Sequence, residues 1–401
     1  MMNGESTRRA FLQAVGVGAA AMGLQNAAHA KDEKVIPGFE EAPTDPNASK
    51  KWEPVSDRKI KVGIVGYGVC KFGAHFSFQD HPNVEIIGVS DLIPENCDGL
   101  AKAVRCENTY ESLEELIKNK DIEAVFVATD APSHARHCIE VMKSGKHVCT
   151  AVPAMYGDLE EADELFETVK KTGQTYMMFE TSCFHADLHA MREIYKAGGF
   201  GKLVYAEGEY YHYMNVPIPS FKGWRVGLPP QYYPTHSNAY YCGVGNHSFT
   251  EVSCMGFPSE IPHLMPDGNK YKNPFGTEIA LFRTSEGGSA RMAVSWDTPG
   301  RGGEMGRIRG QRGSFYGQYQ GLEKNLPNVD RPALPPGVKA GGHGGSHGQL
   351  MHEFVTAILE ERKPLVDIGM ALNMSVSGTI AHMSALKDGE LMKIPQYKFE
   401  A

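Results

Sequence analysis

The chain has 401 residues, 41% of them apolar and 22% charged, enough to build a sizeable core and more than one ordinary domain. Its formal charge of -8 gives no overall attraction to phosphate backbones or anionic membranes, so nucleic acid is set aside as a partner. The 8 cysteines are scattered without a CxxC pair, which argues against a metal ribbon or a redox couple and leaves a disulfide open.

Residues 1–30 read as an export signal: the twin arginine Arg8-Arg9 precedes a short Ala/Gly-rich run that ends in Ala28-His29-Ala30, a small-x-small cleavage pattern. The apolar run is far shorter than the ~20 residues that cross a bilayer, so no membrane anchor is expected after processing. This address predicts a periplasmic or secreted protein. Residues 31–57 mix charge with proline and lack apolar periodicity, which predicts an extended arm.

The folded body starts at residue 58. "KIKVGIVGYG", "VEIIGVSD" and "IEAVFVATD" are short continuous apolar runs, separated by helix-like stretches such as "YESLEELIKN" and "SHARHCIEVMKSG". Repeated strand and helix predict a parallel sheet with helices on both faces, which "HVCTAVPA" and "TYMMFE" extend to residue 180. From 181 to 401 the pattern changes to alternating stretches, "KLVYAEGEYYHYM", "TEIALFRTS" and "GSARMAVSW", as in antiparallel strands with one covered face. The predicted fold class is α/β: an N-terminal Rossmann domain, 58–180, and a C-terminal α/β domain with an open, mainly antiparallel sheet.

The first strand ends in Gly66-Tyr67-Gly68-Val69-Cys70, and the next glycine, Gly73, comes later than in the usual dinucleotide fingerprint. A tight turn and close approach of backbone to a pyrophosphate explain Gly66 and Gly68, with the phosphate against the N-terminus of the next helix. Asp91 closes the second strand, where a carboxylate accepts ribose hydroxyls and repels a 2'-phosphate, favouring NAD over NADP. A helix cap is the other reading of Asp91.

Taken together, "VGIVGYG", "VATDAPSHARHCIEVMKSGKHV", "TYMMFETSCF", "GWR" and "IRGQRGSFYG" resemble the glucose-fructose oxidoreductase / inositol dehydrogenase (Gfo/Idh/MocA) family over nearly all of residues 58–400. The resemblance implies that Thr129, Asp130, Pro132 and His134 line the nicotinamide side of the cofactor, that Trp224 and Arg225 lie near substrate or cofactor, and that the protein is a homodimer or homotetramer. Packing of a tyrosine-rich sheet against another subunit is the alternative for that region. Where the family usually carries Glu-Lys-Pro, this chain has Ala151-Val152-Pro153, so the lysine of the hydride-transfer site is missing.

Within the family, "AVPA", "YMMFE", "YYPTH" and "GGHGG" are similar to segments of NAD-dependent α-N-acetylgalactosaminidases, which hydrolyse glycosides with a cofactor they never release. Those proteins usually have Glu at the position of Ala151 and Tyr at that of Phe184. The resemblance implies a redox-neutral sequence on a sugar or glycoside: oxidation at a ring carbon, elimination, water addition and re-reduction, with NAD tightly bound. A sugar dehydrogenase or sugar-sugar oxidoreductase is the alternative, and a non-catalytic sugar- or nucleotide-binding protein is another.

Some base must replace the lysine. His236, in "QYYPTHSNAYY" with Tyr233 three residues before it, is the leading candidate, because imidazole titrates near neutrality and the phenol supplies a hydrogen bond or a second base. Glu180 ends a strand on the ligand side of the sheet, where it either acts or caps the next segment. Phe184, His185, His343 and His347 are weaker substrate-site candidates, the last two in a flexible glycine-rich loop before a helix. His185 and His189, with Asp187 between them, have the spacing of a metal pair, yet such spacing is common on solvated helices and no metal is expected.

Overall fold

The computed structural model describes Ile36 and residues 39–399, so the expected export signal and the start of the arm lie outside the described residues. Strand β1 (Ile60–Val65) is apolar and almost wholly buried, as a strand covered on both faces must be. With β2 (Val84–Ser90), β3 (Thr109–Tyr110), β4 (Ala124–Val127), β5 (His147–Thr150) and β6 (Tyr176–Met178) it forms a 6-stranded sheet in the order β3-β2-β1-β4-β5-β6. Every pairing is parallel. The order reverses between β1 and β4, and such a switch point opens a crevice beyond the strand ends.

The helices of this layer are α1 (Phe72–His75), α2 (Pro94–Val104), α3 (Leu113–Leu116), α4 (His134–Lys143) and α5 (Leu159–Thr172). Their ends follow from sequence: Pro94 opens α2, Ser112 and Asp158 accept backbone N–H groups at the starts of α3 and α5, and Gly173 closes α5 at φ 66°.

After α6 (Ala186–Lys196), strand β7 (Leu203–Tyr211) leads to α7 (Thr235–Gly245), and β8 (Phe249–Pro258), β9 (Phe275–Thr284), β10 (Ser289–Ser295), β11 (Gly303–Gly310), β12 (Gly313–Phe315) and β13 (Tyr319–Gly321) follow. Helices α8 (His347–Leu359) and α9 (Ile368–Ala385) precede the last strand, β14 (Met392–Lys393). The second sheet has 8 strands in the order β13-β12-β11-β7-β10-β9-β8-β14. Only β7 and β10 pair in parallel, so it is mainly antiparallel, as expected. No helix among the described residues is long and apolar enough to cross a membrane.

Two glycines let α7 press on this sheet. A Cβ on Gly208 of β7 would lie 2.0 Å from the Ser237 carbonyl oxygen, and one on Gly306 of β11 would lie 2.1 Å from the Tyr240 ring. The first turn of α7, with His236, is thereby set directly against β7 and β11. Helix α9 is buried nearly all round and packs on β8, α7 and the 230–232 turn that leads into α7.

The end of the arm is not a free strand. Leu334 N–H donates to Ala48 O at 3.0 Å and Ala42 N–H to Gly341 O at 3.0 Å, tying it to the glycine-rich loop. The Phe39 ring sits 5.4 Å from Phe72 and 4.6 Å from His343. All 8 cysteines are free and buried.

Candidate active site

A cavity of about 560 Å³ opens beyond the ends of β1, β2, β4 and β5. Its wall includes Gly66, Gly68, Val69 and Cys70 from the first turn, Asp91 from the second strand, and Thr129, Asp130 and His134 after β4. Ala151, Val152, Trp224, Arg225 and Tyr233 complete the inner end. Tyr67, Pro132 and Pro153 stand beside it without lining it.

The glycine turn fits a dinucleotide. Gly66 has φ 105°, and a Cβ there would lie 2.3 Å from Ala128 O, so the turn admits no side chain. Gly68 faces open space, with nothing within 4 Å of an added Cβ. Gly73 does the packing work of the displaced third glycine: its Cβ would lie 2.6 Å from Gly66 O and 2.9 Å from the Leu100 side chain.

One expectation needs correction here. The helix after this turn, α1, has only 4 residues, too few aligned peptides for an appreciable macrodipole to receive a phosphate. Lys71, Arg136, Lys222 and Arg225 bring positive charge to the cavity wall, and the Arg225 guanidinium stacks 4.2 Å from the Trp224 ring and 5.8 Å from that of Tyr233. No carboxylate pairs with Arg225 among the described residues.

Asp91 lines the cavity and does not occupy the cap position of the following helix. Its Oδ2 accepts Tyr67 N–H at 2.7 Å and its Oδ1 accepts Ile93 N–H at 2.8 Å, while the cap position of α2 is Ile93. His134 joins the loops after β4 and β5, with Nδ1 at 2.9 Å from Pro153 O and Nε2 at 3.2 Å from Thr129 O.

A smaller cavity of about 20 Å³ adjoins the inner end and shares Ala151, Val152, Arg225 and Tyr233 with it. His236, His212, His343 and Thr181 form its polar side, and Phe39, Phe72 and Phe76 its apolar side. His236 is the centre of a buried ionic cluster. Its Nδ1 lies 2.8 Å from Glu180 Oε1 and 3.7 Å from Glu304 Oε1. Glu304 also accepts hydrogen bonds from Ser182 Oγ at 2.6 Å and Thr181 Oγ1 at 3.2 Å.

Burial disfavours a charged His236, but the Glu180 and Glu304 carboxylates outweigh it and push the imidazole up to about 9. Burial likewise opposes the Glu304 carboxylate, and the neighbouring histidines, His236 foremost, pull it down to about 2. The two form an ion pair. Burial pushes the Tyr233 phenol up to about 12 although Arg225 opposes it, so Tyr233 supplies a hydrogen bond rather than a second base. Glu180 both caps the turn, accepting Ser182 N–H at 2.9 Å, and holds His236.

Other expected residues divide. His185 starts α6 with its Nε2 3.4 Å from Glu304 Oε2, whereas His189 Nε2 turns to Asp330 O at 3.0 Å, so the two do not converge as a metal pair. His343 and His347, expected in a flexible loop, are both buried under the arm, their Nδ1 and Nε2 atoms 2.8 Å apart. Phe184 is buried beside the cluster and brings no polar group. Among the described residues Glu180, His236 and Glu304 place metal-ligating atoms within 4.8 Å of one another. The 2.8 Å between Glu180 and His236 is a hydrogen-bond length, shorter than the roughly 3.3 Å that separates two ligands bound tetrahedrally at about 2 Å from one ion.

Glu304 and His212 were missed by sequence reasoning. Glu304 sits in the glycine-rich "GRGGEMGRIRG", and the only signal was an acidic residue entering a strand.

A parallel sheet of this order, with a glycine turn and a strand-ending aspartate on one cavity, defines an NAD-binding oxidoreductase fold. The Gfo/Idh/MocA family model, described as "Oxidoreductase family, NAD-binding Rossmann fold", matches residues 60–180, the stretch that carries the parallel sheet. A glycosyl hydrolase family 109 protein of Solibacter usitatus (strain Ellin6076) is 22% identical over 386 residues, covering 84% of this chain and 88% of that protein. Glycosyl hydrolase family 109 protein 2 of Shewanella sp. (strain ANA-3) is 29% identical over 400 residues, covering 86% and 84%. The alignment with glycosyl hydrolase family 109 protein 1 of Bacteroides fragilis (strain YCH46), 29% identical over 197 residues, covers 46% of this chain and only 42% of that relative.

Among solved structures, levoglucosan dehydrogenase in complex with NADH and levoglucosan has a TM-score of 0.71 at 18% identity, covering 84% of this chain and all of that one (100%). Apo scyllo-inositol dehydrogenase from Lactobacillus casei has a TM-score of 0.67 at 16% identity, covering 84% and 99%. These likenesses establish the fold.

Proposed function

We propose that this protein is an exported, NAD-dependent enzyme that acts on a sugar or glycoside by hydride transfer at a ring carbon, in a redox-neutral cycle with a retained cofactor. The observation that carries the reading is His236, clamped between carboxylates where the small cavity meets the inner end of the nucleotide cavity. The names of its family 109 relatives support the glycoside, and the twin-arginine pattern of residues 1–30 supports the periplasm.

Bound NAD supplies a hydride acceptor and, when reduced, a donor. The chain supplies the rest. Gly66 and Gly68 would let the backbone approach the pyrophosphate closely, Asp91 would accept ribose hydroxyls, and Arg225 brings a half-buried positive charge. In molecules whose ring is neutral, a fraction that grows as pH rises toward 9, His236 takes the proton of the sugar hydroxyl as the carbon loses hydride, and Glu180 stabilises the imidazolium through Nδ1. Tyr233 donates a hydrogen bond from the shared wall. Phe39, Phe72 and Phe76 keep water from the ring carbon.

With no exchangeable pool of NAD outside the cytoplasm, a retained cofactor must be restored within each cycle, which favours net hydrolysis over net oxidation. The exposed apolar residues of the second sheet, Val204, Met255, Phe257 and Leu281, suit the face to a second copy of the chain.

The test is to denature purified mature protein and quantify the nucleotide released, then to assay p-nitrophenyl glycosides. About one NAD per chain with glycoside cleavage supports the proposal. Weak, exchangeable NAD with net reduction by free sugars points to a dehydrogenase, and absence of nucleotide binding ends the hydride-transfer reading.

A further inference from the structure

The redox-neutral reading leaves one proton to be accounted for. When a sugar hydroxyl is oxidised, its C–H bond yields a hydride to the nicotinamide and its O–H bond yields a proton. A dehydrogenase discharges that proton to solvent at every turnover, whereas a redox-neutral enzyme needs it again when the hydride returns. The surroundings of His236 bear on which of these the site is built for.

His236 has more carboxylate than a single general base requires. Glu180 alone would orient the ring, as the carboxylate of a triad does. Glu304 reaches the same Nδ1 from another element, β11, and lies 3.7 Å away. It is fixed there by Ser182 and Thr181, and Thr181 Oγ1 is itself 3.2 Å from His236 Nδ1. The side chains of His236 and Glu304 are only 4% and 6% exposed, so solvent does not screen the pair.

The other titratable groups around the ring do not cancel this arrangement. Tyr210 of β7 and Tyr233 face it with ring centroids at 4.6 Å and 5.6 Å, and burial keeps both phenols neutral. His343 stacks at 6.4 Å, and burial pushes it down to about 4, as it does His212. His185 touches the far oxygen of Glu304. Arg225 is the opposing cation, outweighed by the two carboxylates.

We propose that Glu304 makes His236 a proton store: the second carboxylate holds the hydroxyl proton on the imidazole while the hydride is on the cofactor, and the same proton returns to the sugar oxygen when the hydride returns to carbon. No proton, electron pair or outside oxidant is gained or lost over the cycle. Glu304 acts through His236 and is a positioning residue. The inference rests on the redox-neutral reading and concerns its proton.

The experiment is a pH titration of the His236 ring by NMR in the full mature chain with its nucleotide as purified, assigned with His236→Gln. It compares wild type with Glu304→Gln and Glu304→Asp. The expected midpoint is about 9 in wild type. It falls by roughly one pH unit or more in Glu304→Gln and is partly restored in Glu304→Asp, because the carboxylate charge rather than the shape is what matters. A midpoint near 6.5 in wild type, or one that Glu304→Gln does not move, overturns the proposal. Circular dichroism confirms that each variant is folded, and if Glu304→Gln is not, Glu304→Asp together with Ser182→Ala, which loosens Glu304 without removing it, decides the matter. The released-nucleotide assay separately reports on the hydride-transfer reading, so the two failures are distinguishable.

Discussion

Glu180 Oε1 accepts the Nδ1–H of His236 at 2.8 Å while the same oxygen accepts the Ser182 backbone N–H at 2.9 Å. One atom thus caps a turn and orients the imidazole. Glu180→Gln keeps an oxygen for the turn and removes the charge that stabilises the imidazolium. Hydride exchange with an active glycoside is expected to fall by about 10²-fold or more, with nucleotide content unchanged. Single-turnover absorbance at the reduced-nicotinamide band measures it, and unchanged rates would remove Glu180 from the catalytic cluster.

His236→Ala is expected to abolish that exchange while NAD remains bound. Turnover equal to wild type would take the base role away from His236.

The glycine turn offers a paired test. Gly66→Ala places a methyl 2.3 Å from Ala128 O at a backbone φ of 105°, and should destabilise the fold by about 1 kcal/mol or more. Gly68→Ala meets nothing within 4 Å, so its thermal midpoint should match wild type while NAD affinity drops about tenfold or more, a loss of about 1.4 kcal/mol. Equal NAD affinity in Gly68→Ala would mean that the pyrophosphate does not approach this backbone.

Asp91→Asn keeps an oxygen for one of the two backbone N–H groups and removes the negative charge. The preference for NAD over NADP should shrink about tenfold or more, measured by calorimetric titration of protein stripped of nucleotide. An unchanged ratio would place the ribose elsewhere.

Stability should peak near neutrality. Burial, with neighbouring positive groups, pushes His81 down to about 3 and His137, His212 and His343 to about 4. These groups are neutral when folded and protonate first in the unfolded chain, so the stability they lend is complete above about 6.5 and is lost as pH falls toward 3–4. His236 has the opposite sign. Raised to about 9, it lends stability that is complete below about 6.5 and lost as pH rises through 9. Thermal midpoints measured between pH 4 and pH 9.5 should fall on both sides. His81→Gln should flatten the acid limb, since each such histidine contributes up to about 1.4 kcal/mol per pH unit.

Much of the fold could be read locally. The continuous apolar runs of β1 and β4 and the alternation of β9 and β10 are properties of a few adjacent residues, and they appear as strands at those places. Gly66, Asp91 and His236 were legible because their types fit one local geometry. Glu304 was not, since its meaning depends on β11 pairing with β7, where it lies opposite Tyr210, and on α7 crossing both. His343 and His347 read as part of a flexible loop because nothing in "GGHGGSHG" says that a segment far away in the sequence covers them.

That cover orders the making of the protein. Phe39 rests on Phe72 and on His343, a residue made long after it. The ring cannot take its seat until the glycine-rich loop has left the ribosome and folded. The small cavity therefore gains its final wall only when two segments far apart in the sequence have met, so that wall reports the folding of both.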